Sequence, residues 1–252
     1  MLKEIIRIVE EAGALVRSAH DVESVTREKS SASDLVTRYD EAVQELLRRR
    51  LLALLPEADF YGEEGQHGTL TRPWTFVVDP IDGTTNFVRR FPNSSISVAL
   101  AHNGIAEYAV VFNPFAGELY AAERGRGATR NGQPIHVSER DGSHAVSLFG
   151  TSLYNRGLAD RTFRLMRYFF DRTMDLRRFG SAALDLCYVA DGRAELFFEC
   201  RLSPWDFAAG SLVVTEAGGR VTTLEGQPLD VLRPGSVFAT NGLCHELLRD
   251  MP

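Results

Sequence analysis

Trp74-Thr75-Phe76-Val77-Val78-Asp79-Pro80-Ile81-Asp82-Gly83-Thr84-Thr85-Asn86-Phe87 is the stretch around which the rest of the chain is organised. Residues 74–78 are β-branched or aromatic and few enough to form a buried strand. Pro80 has no N–H with which to continue a ladder, so the strand is expected to end at Asp79. Carboxylates at i and i+3 on a tight turn point into one space, where their repulsion calls for a cation, and an all-oxygen site favours a hard ion such as Mg²⁺. Gly83 lets the backbone come close to a ligand. If the N–H groups of Gly83 and Thr84 open a helical turn, they form a donor nest for phosphate oxygens. Asp-Pro or Asp-Gly alone makes a surface turn; the whole string points to phosphoryl-transfer chemistry.

Composition sets the frame for that site. The 252 residues are 44% hydrophobic and 25% charged, enough to bury a core as one large domain or as two closely packed lobes. The net charge of -6, with no basic block beyond Arg48-Arg49-Arg50, argues against a nucleic-acid or anionic-membrane partner. Cys187, Cys200 and Cys244 are widely spaced and odd in number, which fits buried free thiols in a reducing compartment and neither a disulfide framework nor a zinc site. Met1-Leu2-Lys3-Glu4 opens an amphipathic pattern containing acids, unlike a signal peptide, and no apolar run reaches about 18 residues. The reading is a cytoplasmic protein.

Along the chain, Ile5, Ile8, Val9, Ala12, Leu15, Val16 and Ala19 predict a helix from about residue 2 to about 20. A second helix is expected from an N-cap at Asp34 to Pro56, after a polar stretch at Thr26–Ser33. Ala58–Tyr61 reads as a short strand running into Gly62-Glu63-Glu64-Gly65. Ser95–Leu100, Ala106–Phe112 and Glu118–Ala122 read as an antiparallel meander. The polar residues Glu139–Ser143 separate an N-terminal lobe of about residues 1–140 from a C-terminal lobe of about 141–252. The second lobe alternates a strand at Ala145–Phe149, a helix near Ala159–Phe170, a strand near Met174–Arg178, a helix near Ala182–Ala190 and a strand at Ala194–Glu199, an α/β pattern. Pro204 and Asp206 open a further helix that closes at Gly218-Gly219. A strand at Ser236–Ala239 and a terminal helix near Leu243–Arg249 finish the chain. Read singly, Asp40 is an exposed helix acid, Glu63 a solvated turn acid, Glu199 a solvated strand-end acid and Asp206 an acid favoured by the helix dipole.

Asp79-Pro80-Ile81-Asp82-Gly83-Thr84-Thr85-Asn86-Phe87 resembles the signature of the inositol monophosphatase family of Mg²⁺-dependent, lithium-sensitive phosphatases. Lys29-Ser30-Ser31-Ala32-Ser33-Asp34-Leu35-Val36-Thr37, Phe179-Gly180-Ser181-Ala182-Ala183 and Ser203-Pro204-Trp205-Asp206-Phe207-Ala208-Ala209-Gly210 are similar to further family segments, and Gly125-Arg126-Gly127-Ala128 to one assigned to scaffold. The resemblance implies a layered αβαβα sandwich spanning the chain as a single α/β domain and assembled as a homodimer. It implies two or three Mg²⁺ ions, with Glu63, Asp79 and the Ile81 carbonyl holding one and Asp79, Asp82 and Asp206 another, and inhibition by Li⁺. Thr84, Asp40 and Glu63 would then act on the attacking water. Asp82, Gly83, Thr84, Gly180, Ser181, Ala182, Glu199 and Asp206 would face a small phosphorylated substrate, with Lys29 on a loop beside the site.

Ser203 stands where animal members commonly carry His, a departure on the substrate side. Inositol 1-phosphate is the first expectation. Fructose 1,6-bisphosphate, NADP, histidinol phosphate and 3′-phosphoadenosine 5′-phosphate are alternatives that leave the metal ligands unchanged, and residues 152–160 are expected to decide among them. A haloacid dehalogenase phosphatase would need its second Asp at i+2, whereas here it lies at i+3. A non-catalytic protein on this fold is expected to have lost a ligand.

Overall fold

The computed structural model describes residues 1–22, 26–28, 35–65, 69–152 and 155–252. Helix α1 (Leu2–Arg17) buries Ile5, Ile8, Val9, Ala12 and Val16 along one stripe, and stops short of the expected Ala19. Strands β1 (Thr26–Glu28) and β2 (Leu35–Thr37) pair antiparallel. Helix α2 (Arg38–Leu54) is N-capped by Thr37 and not by Asp34, which lies outside the described residues. Thr37 wins because its hydroxyl accepts from the Tyr39 N–H at 3.1 Å while Asp40 Oδ2 accepts from the Thr37 N–H at 2.8 Å, a reciprocal capping box.

A seven-stranded sheet follows, in the order β3 (Asp59–Gly62), β4 (Trp74–Asp82), β5 (Ser95–His102), β6 (Ile105–Asn113), β7 (Glu118–Glu123), β8 (Ala128–Arg130) and β9 (Gln133–Pro134). β3 runs parallel to β4, and from β4 onward each neighbour is antiparallel, the meander expected from sequence with two short strands added. The second sheet has the order β11 (Asp175–Arg177), β10 (Val146–Phe149), β12 (Leu196–Leu202), β14 (Gly235–Thr240) and β13 (Arg220–Thr222). The helices are α3 (Thr84–Arg89), α4 (Ala159–Phe170), α5 (Ala182–Ala190) and α6 (Pro204–Glu216). The expected terminal helix is present as a 3₁₀ helix, Leu243–Asp250.

Three apolar clusters stack these elements into five layers. One joins α1 and α2 to the outer face of the seven-stranded sheet through Ile8, Val43, Phe76 and Val98. The second fills the space between the two sheets, where α5 and α6 lie. Both helices are buried on nearly every side, as a helix covered by a sheet on each face must be. The third packs α4 and the terminal 3₁₀ helix on the far face of the second sheet, with Phe169 stacked on Phe198. The αβαβα sandwich thus follows from two sheets and three helical layers.

Candidate active site

Strand β4 does not end at Asp79; it continues to Asp82 through a break in register. Asp79 pairs with Ser97 and Asp82 with Ser95, so three steps on β4 face two on β5. That is one extra residue, a bulge, and it accommodates Pro80 without a ladder donor. The bulge also aims the acids. In a regular strand, residues an odd number apart point to opposite faces; the inserted residue turns Asp79 and Asp82 to the same side.

Asp206 reaches the same point from the first turn of α6. One carboxylate oxygen from each of Asp79, Asp82 and Asp206 lies within 4.8 Å of the others, a group able to hold a metal ion. Glu63 stands just past β3, its N–H donating to the Val78 carbonyl at 3.1 Å, and its side chain hydrogen-bonds Asp79. The Tyr61 and Trp205 rings meet edge to face with centroids 5.3 Å apart, tying the segments that carry Glu63 and Asp206 together.

Each acid of the group is steered by a protein donor. Asp79 Oδ1 accepts from the Ile81 N–H at 3.0 Å. Asp82 Oδ2 accepts from Ser181 Oγ at 2.6 Å and the Ala183 N–H at 2.8 Å, and Asp206 Oδ2 accepts from the Ser203 N–H at 2.7 Å. Burial, followed by the charges of Glu63, Asp82 and Asp206, pushes the Asp79 carboxyl well above the usual carboxylate range; burial and then Asp82 and Glu63 do the same to Asp206. Burial raises Asp82 to about 6 against the pull of its Ser181 and Ala183 donors. No Lys or Arg pairs with Asp79, Asp82 or Asp206 among the described residues. Mutually repelling carboxylates, two buried and Asp206 partly so, pre-oriented and without a paired cation among the described residues, fit a hard divalent ion and suit Mg²⁺ by their all-oxygen donor set.

Beside the acids, Gly83 N-caps α3 at φ 84°, and a Cβ there would stand 3.0 Å from both the Asn93 and Gly180 carbonyl oxygens, so no other residue fits without displacement. The expected opening of a helical turn at Gly83 is therefore present. Thr84 Oγ1 lies 3.1 Å from the Ile81 carbonyl and 3.4 Å from Asp40 Oδ1. Asp40 is fully buried, contrary to its reading as an exposed acid, and its other oxygen is held by the Thr37 N–H and by Thr37 Oγ1 at 2.6 Å. Asn86 donates to both Asn93 O and Phe179 O at 2.7 Å, which docks α3 against the turn at Gly180.

Glu63, Asp82, Gly83, Thr84, Asn86 and Asp206 line one cleft of about 220 Å³, which Gly150–Ser152, Arg178, Gly180–Ala182, Asp185 and Glu199 also line. Glu199 is buried rather than solvated. Ser152 donates to Glu199 Oε1 from its N–H at 2.6 Å and its hydroxyl at 3.1 Å, and a Cβ at Gly150 would overlap Oε2. Burial raises Glu199 to about 7, opposed by Ser152 and the Arg178 guanidinium.

The structure thus brings together Asp40, Glu63, Asp79, Ile81, Asp82, Gly83, Thr84, Gly180, Ser181, Ala182, Glu199 and Asp206. Lys29, and residues 153–154 of the stretch expected to read the substrate, lie outside the described residues. Gly125 and Gly127 are scaffold as expected, their N–H groups donating to Glu216 at 2.9 Å. Sequence reasoning missed the two capping boxes, Thr37/Asp40 and Ser203/Asp206. Their spacing, Ser or Thr followed three residues later by an acid, was the available signal. Asp185, Thr151 and Arg178 carried no such signal.

A family model described as the inositol monophosphatase family matches residues 1–250. The inositol-1-monophosphatase of Rhizobium meliloti is 38% identical over 257 residues, covering 100% of this chain and 95% of that protein. The Nus factor SuhB of Escherichia coli is 37% identical over 244 residues, covering 96% and 91%. Among solved structures, the inositol monophosphatase from Anabaena superposes with a TM-score of 0.87 at 32% identity, covering 98% of this chain and 93% of that one.

Proposed function

The chain belongs to the inositol monophosphatase family of phosphoric monoester hydrolases, and we propose that it hydrolyses a small polyol phosphate, inositol 1-phosphate being the reference substrate, in a Mg²⁺-dependent reaction. The observation that carries this reading is the convergence of Asp79, Asp82 and Asp206, pre-oriented and, among the described residues, without a paired Lys or Arg, beside the turn that opens α3. Glu63, Asp79 and the Ile81 carbonyl would hold one Mg²⁺ and Asp79, Asp82 and Asp206 a second, with room in the reading for a third ion. When bound, the metal supplies Lewis acidity, which lowers the pKa of water and neutralises charge on the phosphoryl group and the leaving oxygen.

The protein's own groups do the positioning. Asp40, locked by the capping box, is a fixed acceptor that orients the Thr84 hydroxyl; a Thr84 proton directed at Asp40 or Ile81 leaves a lone pair to receive the attacking water. Amides at Gly83 and Thr84, which have no intrahelical acceptor, receive phosphate oxygens. Gly180, Ser181 and Ala182 bound the alcohol half of the cleft, where Glu199 accepts hydroxyl protons. Direct displacement by water needs no phosphoenzyme. Li⁺ inhibition, assembly as a homodimer and a cytoplasmic location belong to the same proposal.

The test is phosphate release from inositol 1-phosphate, fructose 1,6-bisphosphate, NADP, histidinol phosphate and 3′-phosphoadenosine 5′-phosphate, with Mg²⁺ or with a chelator. Absence of metal-dependent release from all five rejects the hydrolase; a higher kcat/KM on one of the last four reassigns the substrate. Relatives named Nus factor SuhB carry a second reading, a Nus-factor role for this chain, which a variant without phosphatase activity, Asp79→Asn, would test separately.

A further inference from the structure

Among the described residues, four buried side-chain polar atoms have no hydrogen-bond partner, and two of them, Asp185 Oδ1 and Thr151 Oγ1, belong to residues that line the cleft. Asp185 is 1% exposed, on the first turn of α5. It differs from the other acids of the cleft wall. Asp82, Asp206 and Glu199 each accept at least one protein donor, whereas among the described residues Asp185 has none, and burial, followed by the charges of Asp82 and Glu199, holds its carboxyl well above the usual range against the smaller pull of Arg178. A buried acceptor left unsatisfied destabilises the fold, and an apolar side chain on this all-round-buried helix would not. A donor missing from the protein is therefore expected from the ligand.

The charge of the wall says which part of the ligand supplies it. Asp185 shares its surroundings with Asp82 and Glu199, whose charges oppose its ionisation, so a phosphate, an acceptor only, is repelled there. The phosphate belongs at the other end, by the α3 amides. A hydroxyl can donate to Asp185, and Thr151 can both donate to and accept from a second one. On the hydrolase reading above, we propose that Asp185 is a substrate-binding residue that, with Thr151, takes hydroxyl groups of the leaving alcohol and so makes the cleft selective for polyhydroxylated phosphate esters.

The test compares inositol 1-phosphate with cyclohexyl phosphate, the same ring without hydroxyls, and with phosphoethanolamine, whose donor is an ammonium. The wild-type protein is expected to prefer inositol phosphate. In Asp185→Asn, kcat/KM for inositol phosphate is expected to fall up to about 10-fold further than for cyclohexyl phosphate, the range of one ordinary hydrogen bond. Thr151→Val should shift the same ratio in the same direction by less. The Asp185→Asn protein should also melt at a higher temperature than wild type at neutral pH, because a buried uncompensated acid has been removed; a structural role would lower it. Equal losses on both ring substrates, a lowered melting temperature, failure of Asp185→Asn to fold, or a wild-type preference for cyclohexyl phosphate or phosphoethanolamine overturns the assignment while leaving the hydrolase intact. Metal-dependent release from no phosphate ester at all overturns both.

Discussion

Binding of Mg²⁺ to the acid cluster should stabilise the protein strongly at neutral pH and weakly in acid. The sign follows from Asp82. Its folded pKa, about 6, lies above the unfolded value, so between roughly pH 4 and pH 6 the folded metal-free protein holds a proton that the unfolded chain has released. Metal-free stability from this group is therefore highest in acid and lost as pH rises through 6. Holding the carboxyl at about 6, against an ordinary value near 4, makes the charged Asp82 a burden of roughly 3 kcal/mol at neutral pH, and burial and neighbouring charge act on Asp79 and Asp206 in the same direction. A divalent cation reverses the balance because it needs the deprotonated oxygens.

Ligand at about a hundred times its Kd adds about 2.7 kcal/mol, and for a chain of this size about 2–4 °C accompanies each kcal/mol, so the melting temperature should rise by about 5–10 °C at pH 7.5. At pH 5.0, about one pH unit below the Asp82 pKa, proton competition at that site alone lowers apparent affinity about tenfold. The increment then falls by about 1.4 kcal/mol, and further with Asp79 and Asp206. Paired calorimetric scans with Mg²⁺ and with chelator at the two pH values measure the difference, in which other titrating groups largely cancel. A Mg²⁺ increment as large at pH 5.0 as at pH 7.5 would refute the carboxylate cluster as the metal site.

Thr84→Ala should lower kcat by about 10²- to 10⁴-fold with little change in the Mg²⁺ concentration required, since the hydroxyl positions water; a change confined to the metal requirement counts against that role. Gly83→Ala should destabilise the fold by more than about 1 kcal/mol in urea titration, because a Cβ meets two carbonyl oxygens at a positive φ; unaltered stability would mean that the α3 entry rearranges freely. Lithium should inhibit in a manner that added substrate does not relieve, and Asp206→Asn should weaken both Li⁺ inhibition and the second Mg²⁺. Purely competitive kinetics in Li⁺ would reject the exchange of Li⁺ at the Asp206 position.

The features legible in the chain alone are local ones. The spans of α4 and α5, the antiparallel meander and the i, i+3 pair at Asp79 and Asp82 are written in apolar periodicity, turn residues and motif spacing, all set by backbone preferences acting over a few residues. Tertiary contacts settled the rest. That β4 continues past Pro80 depends on the β5 partner against which its bulge forms, and the capping box moved the start of α2 to Thr37. The burial of Asp40 and Glu199 reverses their solitary readings because the elements packed over them are remote in sequence. Ser181, 99 positions from Asp82, chooses which oxygen of that acid is held by the protein, and the lack of any such partner at Asp185 is a property of the folded cleft. A carboxylate's role depends on which donors, charges and water reach it, and that is fixed only when distant segments close around it.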